Sequence, residues 1–428
     1  MKDLIVGAGL TGLYQAVVSL NRGNEVTIIE NTNKYGGQLR TLKYKVENDL
    51  FYFDIGPHIP PSSHSIWNNL CKEIDSINIP TPIKSRVKLK KDLDLLFPPS
   101  IKKNLEYLDI GGIFSLLKVV PTYLLRSVIK LEENNLEDLL INSWGDTFCM
   151  NYIKPLVRKH FKYNVSKISK KYILKVGAPK LKYVLNPKEH KFSSSYFYYP
   201  KYGVFEVIKS LKKKVLNKNC EVLLETNIDD INYKEKKFNI TYTRKDDVNK
   251  TTFDRIFWSG SLKDLTQILN FKEKNKIRYR NLLTIHIGIK KKDLLGDTVH
   301  TAYITMPDIL FYRIYEPKKC SPYMAPDQKT SACIEITLKK EKPKNNLDDL
   351  IEKALRQFRD LFHLNQNKIT YLGHDLCLDA YPLLFRHYEE YVKKVKDKLP
   401  PNLFLIGRTG TYYPYSVDTA LDTVKLKI

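Results

Sequence analysis

The sequence predicts an α/β protein built on a parallel sheet, and three stretches carry that expectation. Leu4-Ile5-Val6 is an apolar strand that runs into Gly7-Ala8-Gly9-Leu10-Thr11-Gly12, and Leu13 to Leu20 continues with helical spacing. Glu25-Val26-Thr27-Ile28-Ile29 is a second apolar strand, ending on Glu30, eighteen residues past Gly12. Far along the chain, Asn402-Leu403-Phe404-Leu405-Ile406 enters Gly407-Arg408-Thr409-Gly410, with a helix start at Val417-Asp418. Glycines spaced as at 7, 9 and 12 let the backbone turn tightly and approach a pyrophosphate. They also let the next helix pack close, with its N–H groups aimed at the phosphates. An acid at the position of Glu30 accepts from the hydroxyls of an adenosine ribose. Strand, turn, helix and acid together point to a dinucleotide in a Rossmann-like domain.

Composition bounds the rest. A length of 428 residues suits two to three domains, and 43% hydrophobic with 28% charged residues suits a globular protein. The net charge of +24, from 71 Lys+Arg against 47 Asp+Glu, would fit an acidic ligand, a membrane surface or nucleic acid. Lysines, however, are scattered through nearly every segment. Clusters such as 212–214 and 290–292 are short and far apart, and no nucleic-acid motif accompanies them, so the excess reads as coding bias and no nucleic-acid partner is expected. Six cysteines without CxxC or metal-ligand spacing read as reduced thiols of a cytoplasmic protein, and no metal is expected. The N-terminus enters a strand directly, which leaves no room for a signal peptide. The apolar stretch Ile113 to Leu131 is interrupted by Lys118, Pro121 and Arg126. It reads as a buried amphipathic helix rather than a membrane span, so at most a peripheral membrane contact is expected.

Behind the first turn come Tyr35-Gly36-Gly37-Gln38-Leu39-Arg40-Thr41 and Phe51-Tyr52-Phe53-Asp54-Ile55-Gly56-Pro57-His58. Paired glycines permit a second close backbone approach, and an arginine there reaches a phosphate or an electron-rich ring. In this order the strings resemble the FAD-binding part of the flavin-containing amine oxidases, protoporphyrinogen oxidase, phytoene desaturases and UDP-galactopyranose mutase. The resemblance implies FAD as cofactor. Gly7, Ala8, Gly9, Leu10, Thr11 and Gly12 would then cradle the pyrophosphate and Glu30 the ribose. Gly37, Gln38, Leu39 and Arg40 would lie along the ribityl chain and flavin, with Gly56, Pro57 and His58 near the ring system. Ile228, in Thr226-Asn227-Ile228, would contact the adenine through its backbone. Gly407, Arg408, Val417 and Asp418 would close the site at the flavin pyrimidine.

The resemblance extends through the middle of the chain. Lys159-His160-Phe161-Lys162 stands where relatives carry a K-x-W-G string, and Phe161 keeps an aromatic face there. Tyr199-Pro200-Lys201-Tyr202-Gly203 stands for their YPKGG, with Tyr202 in place of the first glycine. Phe311-Tyr312-Arg313-Ile314-Tyr315-Glu316-Pro317-Lys318 resembles a segment of protoporphyrinogen-oxidase-like proteins and, in part, of the mutases. Arg313 and Glu316 are expected to form an ion pair, or Arg313 to face an anionic substrate or the flavin edge. The mutases also have a tyrosine near Tyr412 that contacts the substrate diphosphate.

The expected layout is a discontinuous Rossmann-like FAD-binding domain with a helical insertion and an α+β substrate domain containing an antiparallel sheet. Its parts are 1–71 (FAD-binding), 72–200 (mostly helical, including Gly112 to Leu131 and Leu136 to Val157) and 201–262 (FAD-binding). The substrate domain is 263–397, with strands at Leu282 to Ile289, Tyr303 to Ile314 and Ser331 to Ile336. Residues 398–428 supply the closing strand and helix. The expected function is an FAD-dependent oxidoreductase accepting a hydride from a small-molecule substrate, an anionic one if Arg313 and Tyr412 face it. Two alternatives stand beside it: a UDP-galactopyranose mutase-like isomerase, and a flavin-binding protein without turnover. No residue is singled out as catalytic.

Overall fold

The computed structural model describes residues 1–59, 65–80, 84–90, 93–97, 121–174, 196–218, 220–296, 299–339 and 347–425. Its centre is a five-stranded, all-parallel sheet in the order Leu403–Leu405, Arg255–Trp258, Lys2–Val6, Glu25–Ile29, Glu221–Leu223. The strands come from three distant parts of the chain and are buried on both faces, which is why they read as continuous apolar runs. Ile5 and Ile28 pack under the helices Leu10–Asn21 and Phe205–Leu216. Leu4, Val6, Ile29 and Trp258 face the other way, toward an antiparallel three-stranded sheet (Thr226–Lys234, Lys237–Arg244, Asp247–Phe253) and the helix Tyr388–Asp397. Asp3 and Arg255, both buried, join neighbouring strands through two charge-assisted bonds of 2.7 and 2.8 Å.

A second, seven-stranded sheet runs Ile369–Pro382, Tyr279–Ile289, Thr330–Leu338, Arg313–Tyr315, Val299–Ile304, Lys84–Lys90, Leu93–Phe97. All its pairs are antiparallel except Val299–Ile304 with Lys84–Lys90. The helix Leu347–Leu361 covers one face through Ile351, Ala354 and Phe358. The single strand expected over Tyr303 to Ile314 is two, separated by a turn that lets Arg313–Tyr315 pair back on Val299–Ile304.

The segment 72–200 is less helical than its spacing suggests. It holds the strands Ser76–Pro80, Lys84–Lys90, Leu93–Phe97 and Tyr196–Pro200: Lys84–Lys90 and Leu93–Phe97 form a hairpin, but Lys84–Lys90 also pairs with Val299–Ile304, and Ser76–Pro80 with Tyr196–Pro200. Strand pairing over such separations leaves no local periodicity to read. Leu136 to Val157 is helical but broken: Gly145, at φ +76, ends Leu136–Trp144, and Lys154–Phe161 follows. Of the apolar stretch Ile113 to Leu131, residues 113–120 lie outside the described residues. Residues 121–128 are helical, and Leu124, Leu125 and Val128 are exposed rather than buried as expected. Among the described residues no helix is long and apolar enough to cross a membrane.

Candidate functional site

A cleft of about 650 Å³ runs along the carboxyl ends of the parallel strands. One wall is backbone. A Cβ on Gly7, at φ +100, would lie 2.5 Å from the Ser259 hydroxyl, which itself donates to the Val6 carbonyl. A Cβ on Gly12 would lie 1.9 Å from the Gly7 carbonyl oxygen, so the helix sits as close to the strand as only glycine permits. Gly9 serves differently. Nothing lies within 3.8 Å of the space its Cβ would fill, and that space faces Gly36 and Gly37. A side chain there would stand in the cleft where a pyrophosphate has to lie. No side chain caps the N–H groups of the helix that Gly9 opens, which leaves them for an anion.

Glu30 is held at the cleft edge. It accepts from the Ala8 N–H (2.9 Å), the Thr32 N–H (2.9 Å) and the Thr32 hydroxyl (2.8 Å). Three bonds fill most of a carboxylate's roughly four acceptor positions. The side chain is therefore oriented, with room for one ribose hydroxyl before Thr32 must yield.

Farther along, Arg40 donates two bonds to the Asp375 carboxylate and one to the Gly37 carbonyl. Its charge is thus engaged by a protein acid. Gln38 bridges, donating to the Asp379 carbonyl (2.9 Å) and accepting from Arg408 (3.3 Å). Arg408 also donates to the Tyr415 carbonyl and makes no ion pair among the described residues. His58 donates through Nε2 to the Ile55 carbonyl at 3.0 Å. Burial, with the charge of Arg408 adding to it, pushes its pKa down to about 3, so the ring is neutral at ordinary pH.

Of the residues expected around a cofactor, Gly7, Gly9, Leu10, Thr11, Glu30, Gly37, Gln38, Leu39, Arg40, His58, Arg408 and Val417 line the cleft. Ala8, Gly12, Gly56, Pro57, Gly407 and Asp418 stand behind it. Gly407 packs on Thr11, and Asp418 is buried with Oδ1 unpartnered among the described residues. Ile228 does not line the cleft; it lies on the outer three-stranded sheet, whose first residue Thr226 donates to the Glu30 carbonyl. Sequence reasoning missed the walls at Ser259 to Ser261 and Leu376 to Asp379. The first carries a legible signal, since Ser259-Gly260 follows a strand as Gly7 does. The second, the end of a long antiparallel strand, carries none.

Three expectations near the ring end are corrected. Arg313 pairs with Glu335, not Glu316: its Nε and Nη2 lie 2.9 and 2.6 Å from Glu335 Oε2. Side chains three apart on a strand point to opposite faces, whereas Glu335 lies directly opposite Arg313 in the next strand. Glu316 is buried elsewhere, accepting from the Leu294 and Leu295 N–H groups and the Thr330 hydroxyl. Tyr412 is fully buried, its hydroxyl bonded to the backbone of Arg278 and Leu383, so it offers nothing to a substrate. Phe161 is 1% exposed and packs edge-on against Tyr172, so it presents no face for stacking.

The residues flanking Phe161 take other positions. The Lys159 ammonium donates to the carbonyls of Met306, Ile309 and Phe311, and burial pushes its pKa down to about 7. His160 bonds Tyr172 through Nε2 (2.9 Å), and its ring meets those of Tyr312 and Tyr381 at 4.8 and 4.9 Å. Its Nδ1 is buried without a partner among the described residues. Tyr381 bonds Arg313 at 3.2 Å and lies 6.0 Å from the Arg408 guanidinium, which ties this cluster to the cleft.

Residues 5–74 match the model of the NAD(P)-binding Rossmann-like domain. An L-amino-acid oxidase of Bothrops jararacussu is 27% identical over 173 residues, 33% of this chain and 34% of that protein. The chain spans about a fifth to a third of the length of the curated relatives it matches first. The structural likeness is broader. Reduced UDP-galactopyranose mutase superposes with a TM-score of 0.82 at 17% identity, over 99% of this chain and 92% of the other. A protein from Exiguobacterium, provisionally named protoporphyrinogen oxidase, superposes at 0.72 with 15% identity, over 100% and 99%. The cleft and the domain that forms it fit a flavin dinucleotide. The N-terminal segment thus matches the NAD(P)-binding Rossmann-like domain, and the chain as a whole has the fold of the mutase and the Exiguobacterium protein.

Proposed function

We propose that the chain is an FAD-dependent oxidoreductase that takes a hydride from a small-molecule substrate. The observation that carries this reading is the continuity of one cleft from the uncapped helix start at Gly9, past Glu30, to His58 and Arg408. Bound there, FAD would supply the two-electron chemistry, while the protein positions substrate and excludes water. Gly7 to Thr11 would hold the pyrophosphate, Glu30 the ribose, and Gly37 to Arg40 the chain leading to the ring. Arg408, unmatched by a carboxylate, suits a negative charge on the ring or on the substrate. Neutral His58 and His160 offer hydrogen bonds rather than charge.

The test begins with the absorbance spectrum of the purified protein, which should show bound oxidised flavin. Anaerobic addition of amino acids, amines or a porphyrinogen should then bleach the flavin band with one of them. Bleaching by none, together with furanose formation from UDP-galactopyranose by the dithionite-reduced protein, would replace this reading with the mutase alternative. A protein that retains no flavin after loading removes the basis of both.

A further inference from the structure

Outside the cleft, and sharing no residue with it, lies a pocket of about 470 Å³. It is bounded by the start of the Tyr279–Ile289 strand and the first turn of the Tyr388–Asp397 helix. Lys276, Arg278 and Arg386 bring three positive charges to its wall. The carboxylate on that wall, Glu390, is already engaged by His387 at 3.0 Å. Arg386 makes no ion pair among the described residues.

Lysine-rich coding does not account for this cluster, because arginine is scarce here: only fourteen of the 71 basic residues are arginine. Two of them line the pocket, and a third, Arg280, lies behind Tyr163 at 5.8 Å from its ring. Guanidinium forks match phosphate oxygens in a way that lysine does not. The Tyr388–Asp397 helix opens into the pocket with no side-chain cap, and its preceding residue His387 is in the left-handed region at φ +68. The Tyr388 and Glu390 N–H groups already donate to the Phe385 and His387 carbonyls, and Glu389 and Glu390 stand in the first turn, so an anion's partners here are the basic side chains. Tyr391 and Phe385, with ring centroids 5.6 Å apart, add aromatic surface, and Lys276 lies over Tyr391.

We propose that this pocket is a second ligand site, taking a phosphate-bearing small molecule with a ring, of the nucleotide class. The phosphates would meet Arg278 and Arg386, and the ring would meet Tyr391 and Phe385.

The test is calorimetric titration of ADP, and separately of inorganic pyrophosphate, into protein saturated with FAD so that the cleft is closed to competing nucleotide. ADP should bind at one saturable site and more tightly than pyrophosphate. Replacing exposed Arg386 (Arg386→Ala) should weaken ADP by about tenfold, the effect of losing a charge-assisted contact. Absence of saturable heat from both ligands at millimolar concentration would overturn the proposal, as would unchanged ADP affinity in Arg386→Ala. Pyrophosphate binding as tightly as ADP would overturn the part assigned to the rings. The Arg386→Ala comparison reads this pocket whether or not the chain retains flavin, so its failure is separable from failure of the oxidoreductase reading.

Discussion

The two ends of the cleft are built by opposite means. At the nucleotide end the wall is mainly backbone, drawn from residues 7 to 37, and its working parts are missing side chains at Gly7, Gly9, Gly12, Gly36 and Gly37. Behind the Arg408 end, Arg313, Glu335, Tyr312, Tyr381 and His160 meet from distant segments, holding one another through side-chain bonds and ring contacts. The first arrangement tolerates little substitution, because beside Gly7, Gly12 and Gly36 lies backbone or a held side chain, while Gly9 and Gly37 keep open the space a ligand needs. The second distributes its cost among polar partners, so a change there should unsettle the local network before it reaches the cofactor.

The largest expected effect lies in the backbone wall. In Gly12→Val the new Cβ meets the Gly7 carbonyl oxygen, and neither can move without parting helix from strand. Loss of flavin retention and about 3 kcal/mol or more of stability are expected, read by flavin content after gel filtration and by the denaturant midpoint. A yellow, normally stable variant would break the contrast between the two ends. Next is Glu335→Gln, which leaves the Arg313 guanidinium without its counter-charge. About 3 kcal/mol of destabilisation is expected, since breaking a buried pair strands one charge. Flavin should still be retained. A variant that keeps its stability and sheds flavin would show that the ring end, too, acts directly on the cofactor.

The smallest effect concerns Asp54, buried behind the cleft wall beside Thr41, Tyr199 and Val204. Its carboxylate accepts from Thr41, Tyr199 and the Val204 N–H, yet burial outweighs these bonds and pushes its pKa up to about 6. The folded state therefore holds this proton to higher pH than the unfolded chain does. The stabilising contribution is complete below about pH 4 and is lost as pH rises through about 6. Asp54→Asn cannot titrate. The melting temperature of the wild type relative to the variant should fall between about pH 4 and 6 and level off above it. A difference that stays constant across that range would mean that burial does not hold the Asp54 proton.

Legibility in the sequence divided along the same line. The Lys2–Val6 and Glu25–Ile29 strands, the helix between them and the closing Leu403–Leu405 strand are all visible as apolar runs set against glycine. Most of the cofactor residues expected from them line the cleft. A backbone cradle needs particular residue types at fixed short spacings, and such a requirement is written locally. The position that demands glycine after Tyr199-Pro200 proved to be Gly203, at φ +100 against the Asp54 and Thr41 side chains, and not the Tyr202 position where relatives carry one. Tyr202 is partly exposed and meets Tyr52 and Tyr323 instead.

By itself, then, the sequence determined the strand–turn–helix–strand unit from Lys2 to Ile29 and its dinucleotide signature, because that unit depends on neighbours within about thirty residues. Only the tertiary structure decided that Arg313 is matched by Glu335, that Tyr412 is a buried strut, and that Phe161 is buried against Tyr172 while His160 meets Tyr312 and Tyr381. It also decided that Ser76–Pro80 and Lys84–Lys90 join partners far along the chain. Those outcomes depend on strand register and on which side chains meet after packing. A side chain's partner across a sheet is set by pairing between segments, and nothing in its own neighbourhood records it.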